Sequence, residues 1–117
     1  MRYSRLLLAM FAAPLLACGD DQFLAPLGTV TASGTSFAPS IVTLDATHKT
    51  VTWGFLGGTH EIEFEDGTPG SGQRDGGAFT RDFTSAAAGT YRYRCVNHSS
   101  AGNFSSGMVG QVIVPAP

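Results

Sequence analysis

The feature that most constrains the fold is a succession of short β-type segments separated by turn-forming residues. Each segment alternates apolar and polar positions or is rich in β-branched and aromatic residues, which is the pattern of a strand with one buried face. Seven such segments follow one another along the chain, at 28–33, 40–44, 50–55, 60–64, 78–83, 90–95 and 109–114. This spacing predicts an all-β fold, a two-sheet antiparallel Greek-key β-sandwich of seven or eight strands.

Size and charge narrow the classes of function. A chain of 117 residues is long enough for one domain and too short for two. Charged residues make up 14% of the chain and glycine occurs 15 times, which is typical of a turn-rich β domain. The net charge of −2 has the wrong sign for a nucleic-acid-binding protein. We therefore expect no nucleic-acid partner, and the protein is expected to be a monomer.

The first 17 residues have the features of a secretion signal peptide. Arg2 and Arg5 precede an apolar run at 6–17, which is about 12 residues long. A helix needs about 20 apolar residues to cross a bilayer, so this run is too short to be a membrane span. Residues 1–17 are therefore predicted to be removed on export.

Cys18 follows directly on Leu15-Leu16-Ala17, a sequence that resembles the lipobox of bacterial lipoproteins. The resemblance implies cleavage before Cys18 and lipidation of its sulfur, and two acyl chains anchor a protein stably where one binds only marginally. Residues 18–27 then form a lipidated tether and residues 28–117 the domain. The expected location is periplasmic or at the cell surface, with a membrane anchor. The alternative is an ordinary signal peptide that is cut nearby, with Cys18 incidental.

The two cysteines of the chain, Cys18 and Cys95, allow two interpretations. Two cysteines in an exported protein commonly form a disulfide. Lipidation of Cys18 instead leaves Cys95 without a partner, and a free thiol in an oxidising compartment is reactive unless something holds it. A bound metal ion would hold it.

Four residues of the predicted domain combine into a metal-ligand set. His60 opens one segment, Cys95 closes another, His98 follows three positions later, and Met108 precedes the last segment. A thiolate, two imidazoles and a thioether suit copper, and a trigonal His₂Cys set with a weak axial Met is the blue-copper arrangement. One copper ion is the predicted cofactor. The remaining histidine, His48, lies in a polar turn and is interpreted as an exposed residue.

Residues 28–114 resemble a plastocyanin-like cupredoxin domain, a type 1 blue copper protein. The resemblance is carried by Phe37-Ala38-Pro39, Val51-Thr52-Trp53, and the segments 59–64, 89–98 and 107–114. It implies copper ligands at His60, Cys95, His98 and Met108, and an electron carrier rather than an enzyme. It also implies that the electron leaves through the exposed imidazole of His98 toward redox partner proteins, which the sequence does not identify.

Two departures from the family pattern bear on the site. Met108 lies ten positions after His98, whereas the family places its methionine only a few residues beyond the second histidine. Position 61 is Glu, where many family members have an Asn that braces the cysteine loop. The axial role of Met108 and the bracing of the loop are therefore the least constrained features.

Two alternative functions stay open beside the electron carrier. A copper-storage or copper-delivery module would bind Cu(I) without redox cycling, although such modules more often use exposed sites rich in Met and His. A metal-free structural or adhesion domain would use the same sandwich, with Cys95 as a buried thiol and His98 as a turn residue. An enzyme is not expected, because the four-ligand set leaves no clear open position for a substrate.

Other chemically capable residues have structural interpretations. Trp53 is expected in the core, and Tyr93 on a sheet face rather than in a redox relay. Glu61, Glu63 and Glu65 alternate along one segment, a pattern that indicates the solvated face of a strand.

Overall fold

The computed structural model describes residues 27–117. The predicted signal peptide, Cys18 and the tether up to residue 26 lie outside the described residues. No helix within 27–117 is long and apolar enough to cross a bilayer. The described chain forms nine strands and one 3₁₀ turn: β1 Thr29–Ser33, β2 Ser36–Ala38, β3 Ile41–Thr43, β4 Thr50–Phe55, β5 His60–Phe64, β6 Gly72–Arg74, β7 Ala78–Asp82, β8 Gly89–Cys95, the 3₁₀ turn Val96–His98, and β9 Val109–Val114.

The strands form two sheets whose inward side chains share one core. One sheet has four strands in the order β2-β1-β4-β7, and the other has five in the order β3-β9-β8-β5-β6. Alternate residues of the long strands are buried, as in β4, where every second side chain from Val51 to Phe55 faces the core. The prediction of an all-β, two-sheet sandwich is confirmed.

The sheets are mixed, whereas the sequence pattern predicted antiparallel pairing. Strand β1 runs parallel to β4, with Thr29 opposite Thr52, and β3 runs parallel to β9, with Ile41 opposite Gln111. The chain leaves the first sheet after β2 and enters the second at β3, so each sheet receives a strand from this crossing segment. Apolar alternation reports which face of a strand is buried but carries no information on the direction of its neighbour.

An aromatic cluster fills the centre of the core. The Tyr93 ring meets Phe37, Trp53 and Phe64 in edge-to-face contacts, with centroid distances of 4.8, 5.2 and 6.2 Å. Trp53 is fully buried, as predicted, and Tyr93 is buried beside it. Burial raises the pKa of Tyr93 to about 12, because the phenolate is costly in apolar surroundings, and the Trp53 indole opposes this shift.

One end of the sandwich collects the termini of four strands. In the five-stranded sheet, β5 begins, β8 ends and β9 begins at this end, with Ile62 opposite Cys95 and Arg94 opposite Val109. In the other sheet β4 ends here, since the Phe55 ring stacks on the imidazole that opens β5 with centroids 6.5 Å apart. Strand β1 starts at the opposite end, beside the start of β4.

Two strand glycines test whether the close contact between β9 and the aromatic cluster supports the fold. A Cβ at Gly110 would overlap the Tyr93 ring, whereas a Cβ at Gly54 would meet nothing within 4 Å. Gly110→Ala should therefore lower the free energy of unfolding by about 1–3 kcal/mol or more, since the packed ring has no room to move. The matched Gly54→Ala should change it by less than about 1 kcal/mol. Urea unfolding of the metal-free protein measures both, and equal effects would contradict the packing described.

Candidate metal centre

Three of the predicted ligands meet at this end of the sandwich. The sulfur of Cys95 lies 3.6 Å from Nδ1 of His60 and 3.4 Å from Nδ1 of His98. The three ligand atoms all lie within 4.8 Å of one another. Residues that are 35 positions apart in the sequence are thus brought into contact through their metal-binding atoms.

The spacing of these atoms suits a single metal ion. Bonds of about 2.0 Å to nitrogen and about 2.3 Å to sulfur place the two donor atoms about 3.5 Å apart at a tetrahedral angle. The observed separations of 3.4 and 3.6 Å agree with that value. His60 and Cys95 are fully buried and His98 is half-buried, so water can approach the cluster only beside His98. The donor set therefore fits a thiolate-binding metal such as copper.

The orientation of His60 is fixed by the turn that precedes it. Its Nε2 lies 3.2 Å from the carbonyl oxygen of Leu56 and 3.3 Å from that of Gly57. A carbonyl only accepts hydrogen bonds, so Nε2 carries the proton and Nδ1 presents its lone pair toward Cys95. The four-stranded sheet fixes the position of this turn, because the Leu56 amide donates to the Ala32 carbonyl over 2.8 Å. Gly57, at φ +54°, and the following glycine, at φ +113°, allow the tight reversal.

His98 is placed by the 3₁₀ turn that follows β8. A 3₁₀ helix has three residues per turn, so residues i and i+3 lie on the same side. The turn Val96–His98 begins directly after Cys95, and the imidazole of His98 consequently returns to the cysteine sulfur. The spacing of three positions between these two residues is thus explained by the geometry of a single turn.

Met108 returns to the site in spite of the long segment before it. Its amide donates to the His98 carbonyl over 3.1 Å, and its carbonyl accepts the Cys95 amide over 2.8 Å. The Met108 side chain is 1% exposed. Its backbone is therefore bonded to two of the clustered residues, and ligation by its sulfur stays a prediction.

The additional residues between His98 and Met108 form a self-contained turn. The Asn103 side-chain carbonyl accepts the amides of Ser105 and Ser106 over 2.9 and 3.1 Å. At the base of the turn, Gly107 has φ +83°, and a Cβ there would lie 3.0 Å from the His98 carbonyl oxygen. The extra residues thus lie away from the His-Cys-His cluster, and the two ends of the loop meet beside it.

The cysteine loop is braced by residues that the sequence patterns did not single out. The Ser99 hydroxyl donates to the Cys95 carbonyl over 2.6 Å, and the Arg94 guanidinium donates to the Ser99 hydroxyl over 3.1 Å. Within residues 27–117, the Glu61 carboxylate forms no ion pair with a basic side chain. Ser99, one position after the second histidine, takes the bracing role here.

The acidic segment is more than a solvated strand face. Glu63 pairs with Arg94 and Glu65 pairs with Arg92 across β5 and β8. The Arg94 side chain is only 7% exposed, so this pair belongs to the structure behind the site. A signal was available in the sequence, because the two alternating arginines precede Cys95 at the same spacing as the alternating glutamates. The register that places Glu63 opposite Arg94 across the sheet could not be predicted from the sequence. His48, by contrast, lies exposed in its turn as predicted.

Comparison with known proteins gives likenesses among solved structures only. No protein-family model matches the chain, and no curated protein matches it. Among solved structures, the chain is similar to dithionite-reduced auracyanin from the photosynthetic bacterium Roseiflexus castenholzii. The identity is 19% and the TM-score 0.47, over 76% of this chain and 95% of that one. The two-sheet sandwich and the His-Cys-His cluster at one end agree with the fold and with three of the ligands that the sequence resemblance implies.

Proposed function

We propose that this protein is a copper-binding electron carrier in which His60, Cys95 and His98 hold one copper ion and Met108 supplies a weak axial ligand. The observation that carries the proposal is the convergence of two imidazole Nδ1 atoms on a buried cysteine sulfur, at 3.4 and 3.6 Å. Soft sulfur donors favour Cu(I), and imidazoles also accept Cu(II). Copper bound here supplies a one-electron couple.

A rigid donor set supports electron transfer over catalysis. His60 is fixed by two carbonyls and His98 by a helical turn that begins at Cys95. Ligands that are held before the metal binds have little room to rearrange when its charge changes, which lowers the barrier to moving an electron. The same preorganisation, together with a predicted fourth ligand, leaves no position for a substrate at the metal.

His98 is the ligand best placed to pass the electron to a partner. It is the half-buried member of the cluster, whereas His60 and Cys95 are fully buried. At the same end, Leu56 is 61% exposed and offers an apolar contact beside the site. We infer that redox partner proteins dock against this end of the sandwich.

The anchor and the metal centre are proposed to lie at opposite ends of the domain. A lipidated Cys18 would connect through residues 18–27 to β1, which starts at the end of the sandwich remote from the site. The protein would then stand on the outer side of a bacterial membrane with its copper directed away from the lipid. Partners that approach from the aqueous side would reach His98 without moving the anchor.

Removal of the cysteine sulfur tests the proposed copper site. The protein with Cys18 replaced by Ser should develop an intense visible absorption band on addition of Cu(II), from charge transfer between the Cys95 thiolate and the metal. Cys95→Ala should abolish the band and His60→Ala should weaken or shift it. His48→Ala is the matched control, because that exposed histidine lies outside the cluster, and it should leave the spectrum unchanged. A band that survives Cys95→Ala would show that the ligand assignment is wrong.

A second substitution tests the axial ligand. Met108→Leu keeps the volume of the buried side chain but removes the thioether, so the visible band should persist while the reduction potential rises. The potential rises because loss of a sulfur donor disfavours Cu(II). Voltammetry of the two proteins gives the shift. If neither spectrum nor potential changes, the axial position belongs to another atom, such as a backbone carbonyl in the turn before His60.

A third substitution tests the anchor. Cys18→Ser should release the full-length protein from bacterial membrane fractions into the soluble fraction, because the acyl chains have no other attachment point. Cys95→Ser is the matched control and should remain with the membranes. Retention of the Cys18→Ser protein on membranes would count against lipidation.

A further inference from the structure

Arg94 occupies an unusual position for a charged residue in this sandwich. It lies one residue before Cys95, points to the outer face of its sheet, and is 7% exposed. Its Nε is paired with the Glu63 carboxylate, and its NH1 donates to the Ser99 hydroxyl over 3.1 Å and to the Ser100 carbonyl over 3.3 Å. A buried guanidinium is costly unless its donors are satisfied, and the fork geometry of Arg satisfies several partners at once.

Arg94 and its partners Glu63 and Ser99 lie on the three segments that carry the clustered residues. Glu63 is on β5, the strand that begins with His60, and Arg94 itself is on β8, which ends with Cys95. Ser99 follows His98 directly and donates to the Cys95 carbonyl over 2.6 Å. A single guanidinium thus connects the strand of the first histidine, the strand of the cysteine and the turn of the second histidine.

We propose that Arg94 is a positioning residue that, through Ser99, keeps Cys95 and His98 in metal-binding geometry before the metal arrives. This inference rests on the proposed function for its purpose, but the geometry it describes exists in the metal-free protein. Loss of Arg94 removes the restraint on Ser99, and the turn from Cys95 to His98 is then free to open. The distance between the sulfur and the His98 Nδ1 is therefore set partly from the outer face of the sheet.

The same contact gives the long loop a purpose. Phe104, in the middle of the segment between His98 and Met108, lies over the Arg94 guanidinium at 5.9 Å from the ring centroid. An aromatic face attracts a cation, and the Arg94 side chain next to this ring is 7% exposed. The residues that lengthen this loop therefore form the cover over Arg94 as well as the connection to Met108.

Arg92 provides a matched control on the same strand. It lies two positions earlier, faces the same side, pairs with Glu65 and donates to the Ser105 hydroxyl over 3.0 Å. Its side chain is 42% exposed, and its hydrogen bonds reach neither Ser99 nor the turn at Cys95. Replacement of Arg92 removes a charge and an ion pair of the same type without touching the proposed restraint.

Amide hydrogen exchange of the metal-free protein with Cys18 replaced by Ser tests the proposal directly. The Met108 amide reports the turn, because it donates to the His98 carbonyl, and the Val112 amide reports the core. Arg94→Met and Ser99→Ala should each accelerate exchange at Met108 by about tenfold relative to Val112, equivalent to about 1.4 kcal/mol. Ser99→Thr, which keeps the hydroxyl, and Arg92→Met should leave this ratio unchanged.

Two results would overturn the proposal. If Arg94→Met accelerates Met108 and Val112 equally, Arg94 only stabilises the fold, and if Arg92→Met has the same effect on the ratio, the site is not specifically restrained. Ser99→Ala keeps the test valid if Arg94→Met fails to fold. In the copper-loaded form, Ser99→Ala should slow electron self-exchange about tenfold, and Ser99→Thr should not. A wild-type protein without a thiolate band would refute the proposed function, whereas the exchange ratio in the metal-free protein would still decide the role of Arg94.

Discussion

The pairing of β5 with β8 is the interaction on which the metal centre depends. Ile62 lies opposite Cys95 in this antiparallel ladder, so His60, two residues earlier, projects to the same face as the cysteine at the diagonal position. A slip of one residue would send His60 to the opposite face and separate the two side chains. The register is specified by the buried positions of β5, since Ile62 and Phe64 need the core. The same strand register therefore packs the core and brings His60 to Cys95.

Around this register, short local structures complete the donor set with little freedom. A glycine turn holds His60 through its Nε2, and a 3₁₀ turn returns His98 to the cysteine. Backbone hydrogen bonds join Met108 to both His98 and Cys95. The outer face of the sheet contributes as well, because Arg94, which pairs with Glu63, also donates to the Ser99 hydroxyl at the end of the 3₁₀ turn. Restraint from both sides agrees with the electron-transfer role proposed above, since any movement of the ligands between oxidation states adds to the barrier.

Much of this structure could be predicted from the sequence, because long strands alternate and chemically special residues are few. The segments around Trp53, His60 and Cys95 are recognisable from their periodicity, and the candidate ligands are recognisable because the predicted domain has a single Cys, a single Met and only three His. Strands β2 and β6 have three residues each and no run of β-branched residues, whereas β3 is equally short but carries Ile41-Val42-Thr43 within the predicted segment 40–44. The parallel pairs and the role of Arg94 depend on which strands become neighbours, and periodicity does not encode that. The long loop leaves Met108 the least constrained of the predicted ligands, and hydrogen bonds at the base of the loop return its backbone to the site.

The central claim is that a buried thiolate and two imidazoles bind one copper ion in an arrangement that the protein fixes in advance. Copper K-edge X-ray absorption of the loaded protein in both oxidation states measures this most directly. The account predicts one strongly bound sulfur and two nitrogens at about 2.0–2.3 Å in both states, with only small changes between them. A first shell of nitrogen and oxygen atoms without sulfur, or a change in coordination number on reduction, would contradict it.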